Sequence, residues 1–594
     1  MLETEQNFLG VAQSALGRRW IPSLDREGVN NALAMSQKFG IAEPLARVLA
    51  ARSVPEEEVL NYLDPTLKAL TPDPETFVDM EKATERIVQA IDHKEKVAIF
   101  GDYDVDGACS SAILYQFLTF FGLDAEIYIP DRIVEGYGPN PQAMKMLADN
   151  GASLIVTVDC GANSPEAIKA AREKGVDVVV LDHHQMGEIH KEAYALVNPN
   201  RPDDRSGQGY LCAAGLVFIT VAWTLKKIRQ QGKHHNLPDI LCYLDLVALA
   251  TVCDVVPLVG VNRAFVTKGL KVARMMTNPG IAALSRVARI GEPLNVFHLG
   301  FLLGPRINAG GRIGDQALGA HLLTTKTEGE ANAIAEELNS LNQERQAIEA
   351  KQLLEAEGDL QSLKLDESPS VIVVSHEGWH PGIVGILAAR LKEKFRCPAF
   401  AIAIKADGSA TGSGRSIAGV NLGELVREAV ELKLLEKGGG HAMAAGVTIL
   451  KSKIDEFRKW LEQKLSDKVN DLHAHETLSI DGLLSASGAT KELYDMIEKA
   501  GPFGSGNPLP IFVLSSHRLS DVREVGNGHL LMSLSNIEGK KLKAIAFRAV
   551  GTNLGDFLMA HLGKNIHIAG NLNLNYWNGQ ATPQLRVIDA AELE

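Results

Sequence analysis

Val97-Ala-Ile-Phe-Gly-Asp102-Tyr-Asp104-Val-Asp106-Gly107 decides the fold, because a short apolar run empties directly into three carboxylates at alternate positions. An apolar run of four bounded by glycine reads as a buried strand, and Ser110 to Phe121 has the apolar spacing and length of a helix. Carboxylates two apart at the carboxyl end of a strand can converge on one cation, and in an open α/β sheet that edge is where ligands bind. A single aspartate there is usually a cap or turn residue. Three within five residues repel one another unless a positive charge offsets them.

The same pattern recurs downstream. Leu154 to Val158 reads as a buried, β-branched strand that ends in Asp159-Cys-Gly161, and Ser164 to Lys174 as its helix, with Ser164 as cap and Pro165 in the first turn. Val178 to Leu181 is another such strand, ending in Asp182-His183-His184. Ala125 to Pro130 precedes Asp131-Arg132 and the glycine-rich turn Glu135-Gly-Tyr-Gly138. Leu246 to Cys253 leads into Asp254, and periodicity leaves open whether it is strand or helix. Repeated strand-to-helix units bring these groups to one edge of a mostly parallel sheet.

At 594 residues the chain is too long for one core, and about 100 to 200 residues per domain gives roughly three to five units. The net charge of −13 argues only mildly against a polyanion-binding protein, since it includes carboxylates that would hold a metal. Six cysteines without a C-x-x-C pair suggest neither a zinc knuckle nor a disulfide framework. Glu3 and Glu5 stand where a signal peptide would be basic, and no apolar run reaches the roughly 18 residues that span a bilayer. A cytoplasmic protein is expected.

Residues from about Arg18 to Ala90 read as a short-jointed helical lead-in. Leu303-Gly-Pro-Arg306-Ile-Asn308-Ala-Gly-Gly-Arg312 reads as a flexible glycine-rich turn whose arginines and asparagine suit phosphate oxygens, or as an irregular loop with surface charges. Thr327 to Leu363 reads as a long connecting helix, followed by a second α/β unit that begins at Val371. In that unit a strand ends in Ser413-Gly-Arg415, and the turn Lys437-Gly-Gly439-Gly440-His441 permits close backbone approach to a ligand. After Glu476 come five short strands with an inserted helix, which suit a small barrel of the OB type that binds single-stranded nucleic acid. Phe547, Tyr576 and Trp577 could stack bases there or be core.

Asp102, Asp104, Asp106, Asp159, His183, His184 and Asp254 are the candidate ligands. Hard carboxylates with imidazoles and no thiolate cluster suit Mn²⁺ or Mg²⁺, and so many charges call for about two ions. Two adjacent cations clamp an in-line attack on phosphorus, so phosphoester hydrolysis is the expected reaction class.

In this order, Asp102-Tyr-Asp104-Val-Asp106-Gly107, Asp159-Cys-Gly161, Asp182-His183-His184, Asp254 and Gly438-Gly-Gly-His441 resemble the motifs of the DHH phosphoesterase superfamily with its DHHA1 companion domain. The full layout is similar to that of RecJ-type single-strand-specific DNA exonucleases, which degrade from the 5′ end. The resemblance implies a multidomain α/β protein. Its parts would be a helical lead-in at 1–80, a mostly parallel-sheet DHH catalytic domain at 81–326 and a connecting helix at 327–364. A smaller α/β DHHA1 domain at 365–472 and an OB-type β-barrel at 473–594 would follow. It also implies that Asp104, Asp106, Asp159, His183 and Asp254 bind metal, with Asp159 bridging two ions. Asp182 would orient the imidazoles and His184 would face the reacting phosphate. Phe100 stands where many smaller members carry a histidine, and Asp102 is a possible substitute ligand. Arg132, Arg306, Asn308, Arg312, Ser413, Arg415, Gly439, Gly440 and His441 correspond to segments around the substrate phosphates. The implied product is a 5′ mononucleotide, released in DNA repair and recombination. Single-stranded DNA is the implied partner of a monomer without membrane contact, with a single-strand-binding protein and a helicase as further candidates. Two rival readings are a phosphodiesterase for short oligonucleotides or cyclic dinucleotides, which would need no barrel, and a non-catalytic scaffold, in which metal ligands would have decayed.

Overall fold

The computed structural model describes residues 7–132, 134–362, 369–577 and 580–593. The chain forms two compact units, one of residues 1–311, 315–337 and 477–594 and one of residues 312–314 and 338–476.

The first unit is built on an all-parallel five-stranded sheet in the order Ala125–Tyr128, Val97–Gly101, Leu154–Val158, Asp177–Leu181, Ala195–Val197. Every residue of Val97–Gly101 and Leu154–Val158 is buried, as expected of strands covered on both faces. Numbered along the chain the order is 2-1-3-4-5, which puts the topological switch point between the Val97 and Leu154 strands. Ligands of open α/β sheets bind in the crevice outside the strand ends at that point. Asp102 and Asp159 stand immediately after those two strands. The segment open between strand and helix is the helix Leu244–Cys253, packed among Val105–Phe120, Ala213–Gln231 and Gly260–Ala273.

The lead-in is not purely helical. Arg19–Pro22 is a strand that pairs in parallel with Thr477–Ile480. The helices Arg26–Phe39 and Glu43–Ala51 share a core with Leu484, Phe512 and Leu514. A four-residue strand ending in proline carries no periodicity of its own, and its partner lies more than four hundred residues away. The expected OB-type barrel is present: Phe512–Val525, His529–Ser535, Lys541–Ala546, Gln580–Ala591 and Asn565–Trp577 pair in that order, and the last pairs back to the first. The helix Asn553–Ala560 interrupts the strands as expected.

The glycine-rich stretch before Arg312 is a second correction. Instead of a flexible turn it is a π-helix, His298–Leu303, running into the α-helix Gly304–Ile313. Its glycines serve packing, because a Cβ on Gly311 would lie 2.9 Å from the Tyr103 carbonyl oxygen.

In the second unit a mixed sheet runs Lys437–His441, Ala444–Leu450, Ser409–Arg415, Ala399–Ile404, Ile372–Glu377, with only the last pair parallel. Phe400 and Phe457 centre its core. Lys437–His441, read as a turn, is the exposed edge strand of this sheet. The helix Glu328–Ser362 carries the chain from one unit into the other. Among the described residues no helix is long and apolar enough to cross a membrane.

Candidate metal centre

Each acidic group is held by its local backbone. Asp104 caps the helix Val105–Phe120, its Oδ1 accepting from Gly107 N–H at 3.0 Å. Gly107 is forced to be glycine, since a Cβ there would fall 2.3 Å from the Asp102 carbonyl oxygen. Asp106 is fully buried and accepts from Ala213 N–H at 2.6 Å and Ala214 N–H at 2.8 Å. These are the first amides of the helix Ala213–Gln231, so the positive helix end complements the carboxylate. Asp159 adopts φ 61°, a left-handed conformation that costs an L-residue roughly 1–2 kcal/mol and that concentrates at functional sites.

Asp182 organises the imidazoles. It accepts from the backbone N–H of Ala162, His183 and His184 at 2.9, 2.7 and 3.1 Å and from His184 Nδ1 at 2.8 Å. Asn200 and Asn198 donate to the carbonyls of His183 and His184 at 2.6 and 2.9 Å.

His183 Nε2 lies 3.3 Å from Asp159 Oδ1, 3.6 Å from Asp254 Oδ2 and 3.8 Å from Asp106 Oδ2. Three overlapping sets have ligand atoms within 4.8 Å of one another: Asp159, His183 and His184; Asp106, His183 and Asp254; Asp102, Asp104 and Asp159. Asp159 and His183 each belong to two sets, so the sets describe adjoining cation positions with shared walls. Oδ1 of Asp102, Oδ1 of Asp159 and Oδ2 of Asp254 are buried and accept no hydrogen bond from any described residue. Burial, and then mutual repulsion, pushes all three carboxyls up; Asp254 reaches about 9. Divalent cations supply the missing partners and remove the repulsion, so the residues present fit hard ions such as Mn²⁺ or Mg²⁺. Burial opposes a charge on His184, but the hydrogen bond to Asp182 together with the charges of Asp182, Asp102 and Asp254 raises the imidazole to about 9. Burial raises Asp182 as well, but the bond and charge of His184 together with the backbone N–H groups of Ala162 and His184 hold it below the ordinary carboxylate value.

The other candidate residues fall into two groups. In the first unit, the Arg132 guanidinium lies 5.0 Å from the ring centre of Tyr103, beside Asp102. Arg306 and Asn308 ride on the helix Gly304–Ile313, which abuts Tyr103 through Gly311 and Cys253, the neighbour of Asp254, through Gly304. In the second unit, Arg312 donates to the Gly382 carbonyl at 3.0 Å. Arg415, Ala444 and His441 are in register across three strands, as are Ser413, Gly446 and Gly439. Residues in one register row share a face, and a Cβ at Gly439 or Gly446 would meet no atom within 4 Å. Ser413, Arg415 and His441 therefore rim an open trough floored by alanine and glycine. Gly440, in the same edge strand, has φ 151°, a conformation suited to glycine. In the barrel, exposed Phe547 lies 5.2 Å from His529 and 5.4 Å from Arg586. Tyr576 is exposed, and the Trp577 side chain lies outside the described residues.

Sequence reasoning missed Tyr103, Tyr137, Asn198 and Asn200. The asparagines had a signal in Asn198-Pro-Asn200, a turn following the strand Ala195–Val197 at the same sheet edge.

Residues 96–251 match the DHH family, N-terminal domain, residues 368–467 the DHHA1 domain and residues 480–589 the RecJ OB domain. The chain is 35% identical over 556 residues to the single-stranded-DNA-specific exonuclease RecJ of Dickeya dadantii, covering 91% of this chain and 95% of that protein. The chain belongs to the RecJ family. RecJ of Escherichia coli is 34% identical over 559 residues, covering 92% of this chain and 95% of that protein. The crystal structure of Thermus thermophilus RecJ in complex with Mn²⁺ superposes with a TM-score of 0.76 at 27% identity, covering 96% of this chain and 78% of that one.

Proposed function

We propose that this chain is a single-stranded-DNA-specific exonuclease that hydrolyses phosphodiester bonds from the 5′ end, using two divalent cations, Mn²⁺ or Mg²⁺, and releasing 5′ mononucleotides in DNA repair and recombination. The observation that carries this reading is the cluster of buried carboxylate oxygens without hydrogen-bond partners among the described residues, at the switch point of a RecJ-family sheet.

Asp104, Asp106, Asp159, His183 and Asp254 hold the ions, with Asp159 between them and Asp102 completing the second position, a role its unpartnered Oδ1 supports. The cations supply Lewis acidity that activates water and offsets charge on the leaving oxygen. Asp182 fixes the His184 ring, and His184 presents its imidazole to the reacting phosphate. Arg132, Arg306 and Asn308 grip phosphates beside the metal centre. Ser413, Arg415, His441 and the backbone of Gly439 and Gly440 form a seat for a terminal phosphate, with Arg312 as a further contact. Hydroxyl, guanidinium and imidazole around an open floor suit such a group, which favours 5′ polarity.

Residues 260–312 hold eight Lys and Arg against one acidic residue, Glu292, in a chain of net charge −13. That local excess supports a polyanionic substrate. In functional terms, 81–326 performs catalysis, 365–472 beyond the helix 327–364 binds substrate, and 473–594 with 1–80 holds the strand. The enzyme acts as a cytoplasmic monomer on strands that a helicase exposes and a single-strand-binding protein coats.

Incubation with 5′- and 3′-labelled oligonucleotides tests the reading. The 5′ label is expected to appear first as a mononucleotide, with Mn²⁺ or Mg²⁺ and not with EDTA. Release from the 3′ end, or none with either metal, would overturn it.

A further inference from the structure

Tyr137 stands in the loop 134–138, exposed, with its hydroxyl directed into the metal centre. The hydroxyl donates to the Asp159 carbonyl oxygen at 3.3 Å and lies 3.1 and 3.2 Å from the two ring nitrogens of His184. An oxygen equally distant from both nitrogens cannot lie in the imidazole plane without overlapping a ring carbon, so it sits over the ring face. The two rings meet edge to face, with centroids 5.7 Å apart and planes at 71°. In its own plane the imidazole is held by Asp182, 2.8 Å from Nδ1. One contact thus fixes the ring in plane and the other closes a face, leaving Nε2 free in the plane.

The loop is built to hold Tyr137 there. Glu135 accepts from Asp131 N–H at 2.8 Å, from Tyr128 Oη at 2.8 Å and from Asn140 Nδ2 at 3.0 Å, pinning both ends of the loop. Gly136 and Gly138 flank the tyrosine with φ 88° and 74°, conformations suited to glycine. The Tyr103 ring meets Tyr137 edge-on at 6.5 Å and carries the Arg132 guanidinium on its face. Arg132, Tyr103, Tyr137 and His184 are therefore linked by one cation–ring contact and two edge-on ring contacts.

We propose that Tyr137 is a positioning residue for His184: its hydroxyl, anchored on the Asp159 backbone, stops the imidazole from rotating and keeps Nε2 aimed at the reacting phosphate. This rests on the proposed role of His184. It also couples the strained backbone of Asp159 to the orientation of His184, so metal binding and imidazole placement share one hydrogen bond.

The test combines kinetics with a readout independent of activity. Tyr137→Phe keeps the ring and removes only the hydroxyl. It is expected to lower kcat on single-stranded DNA roughly 10- to 100-fold, the scale of a misplaced reacting group, with KM within about twofold. In a His184→Ala background the same change is expected to have no further effect. In ¹⁵N-histidine-labelled protein, the His184 ring signals, assigned by their loss in His184→Ala, are expected to shift in Tyr137→Phe. Unchanged ring signals, multiplying kinetic effects, or a raised KM with normal kcat would overturn the proposal. Shifted ring signals in a protein that cleaves no single-stranded DNA would uphold the positioning and overturn only the proposed function.

Discussion

Nε2 of His183 lies 3.3 Å from Oδ1 of Asp159, a buried carboxylate oxygen that accepts no hydrogen bond from any described residue. The two residues follow neighbouring parallel strands, Asp177–Leu181 and Leu154–Val158. Their approach is therefore fixed by sheet register together with the left-handed backbone of Asp159. A cation held by the pair would satisfy both groups.

Burial, then the charges of Asp106 and Asp104, pushes Asp254 up to about 9, and Asp102 and Asp159 are raised as well. An unfolded chain releases these protons near the ordinary carboxylate value while the cation-free fold retains them. Cation-free stability therefore falls as pH rises from about 4 toward about 9. Divalent cations displace the retained protons. Titration calorimetry with Mn²⁺ at pH 7.5, in two buffers of different ionisation enthalpy, is expected to show proton release. Affinity should rise with pH through this window. Identical heats in both buffers would refute the protonated site.

Asp182 accepts four N–H groups. Asp182→Asn turns one acceptor oxygen into a donor facing other donors. Mn²⁺ affinity is expected to fall about 10- to 100-fold and kcat more than tenfold, both readable by calorimetry and nucleotide release.

Gly107→Ala would bring a Cβ within 2.3 Å of the Asp102 carbonyl oxygen. Overpacking against backbone costs about 1–3 kcal/mol or more, and here it displaces Asp102 as well. Tm should drop by several degrees and nuclease activity should be lost. Gly358→Ala, at an exposed helical site with nothing within 4 Å of the added Cβ, should raise stability by up to about 1 kcal/mol. Thermal unfolding of the pair separates steric from propensity effects.

Trp20 is buried and its Nε1 donates to Asp589 Oδ2 at 3.2 Å, with Ser14 Oγ donating to the same oxygen at 2.7 Å. Trp20→Ala is expected to cost about 3–5 kcal/mol and to loosen the barrel selectively. This can be seen as lost amide protection in the strand Gln580–Ala591 with Mn²⁺ affinity unchanged.

Much of this was legible in the chain because buried parallel strands announce themselves. The runs at Val97, Leu154 and Val178 are apolar and β-branched, and each ends in the group that the centre uses. Sheet order was not legible, and it is the order that sets Asp102 and Asp159 on either side of one crevice. Gly311 and the glycines at 438–440 read as flexible turns, yet one lets a helix press on Tyr103 and the others form an exposed edge strand. Glycine marks absent side-chain volume as readily as it marks a bend. Tyr137 and Asn198 escaped notice although each stands in a readable turn, because their contacts with His184 arise from loops that meet only in the fold. Arg19–Pro22 was missed for the related reason that its partner strand is remote.

The most direct test is nucleotide release from 5′-labelled single-stranded DNA by Asp159→Ala in Mn²⁺, measured beside its equilibrium binding of the same strand. Loss of release by about 10²- to 10³-fold, the scale of removing an electrostatic catalytic group, with strand affinity within about threefold of the parent, is the predicted result. Near-normal release would contradict a cation-based centre at Asp159.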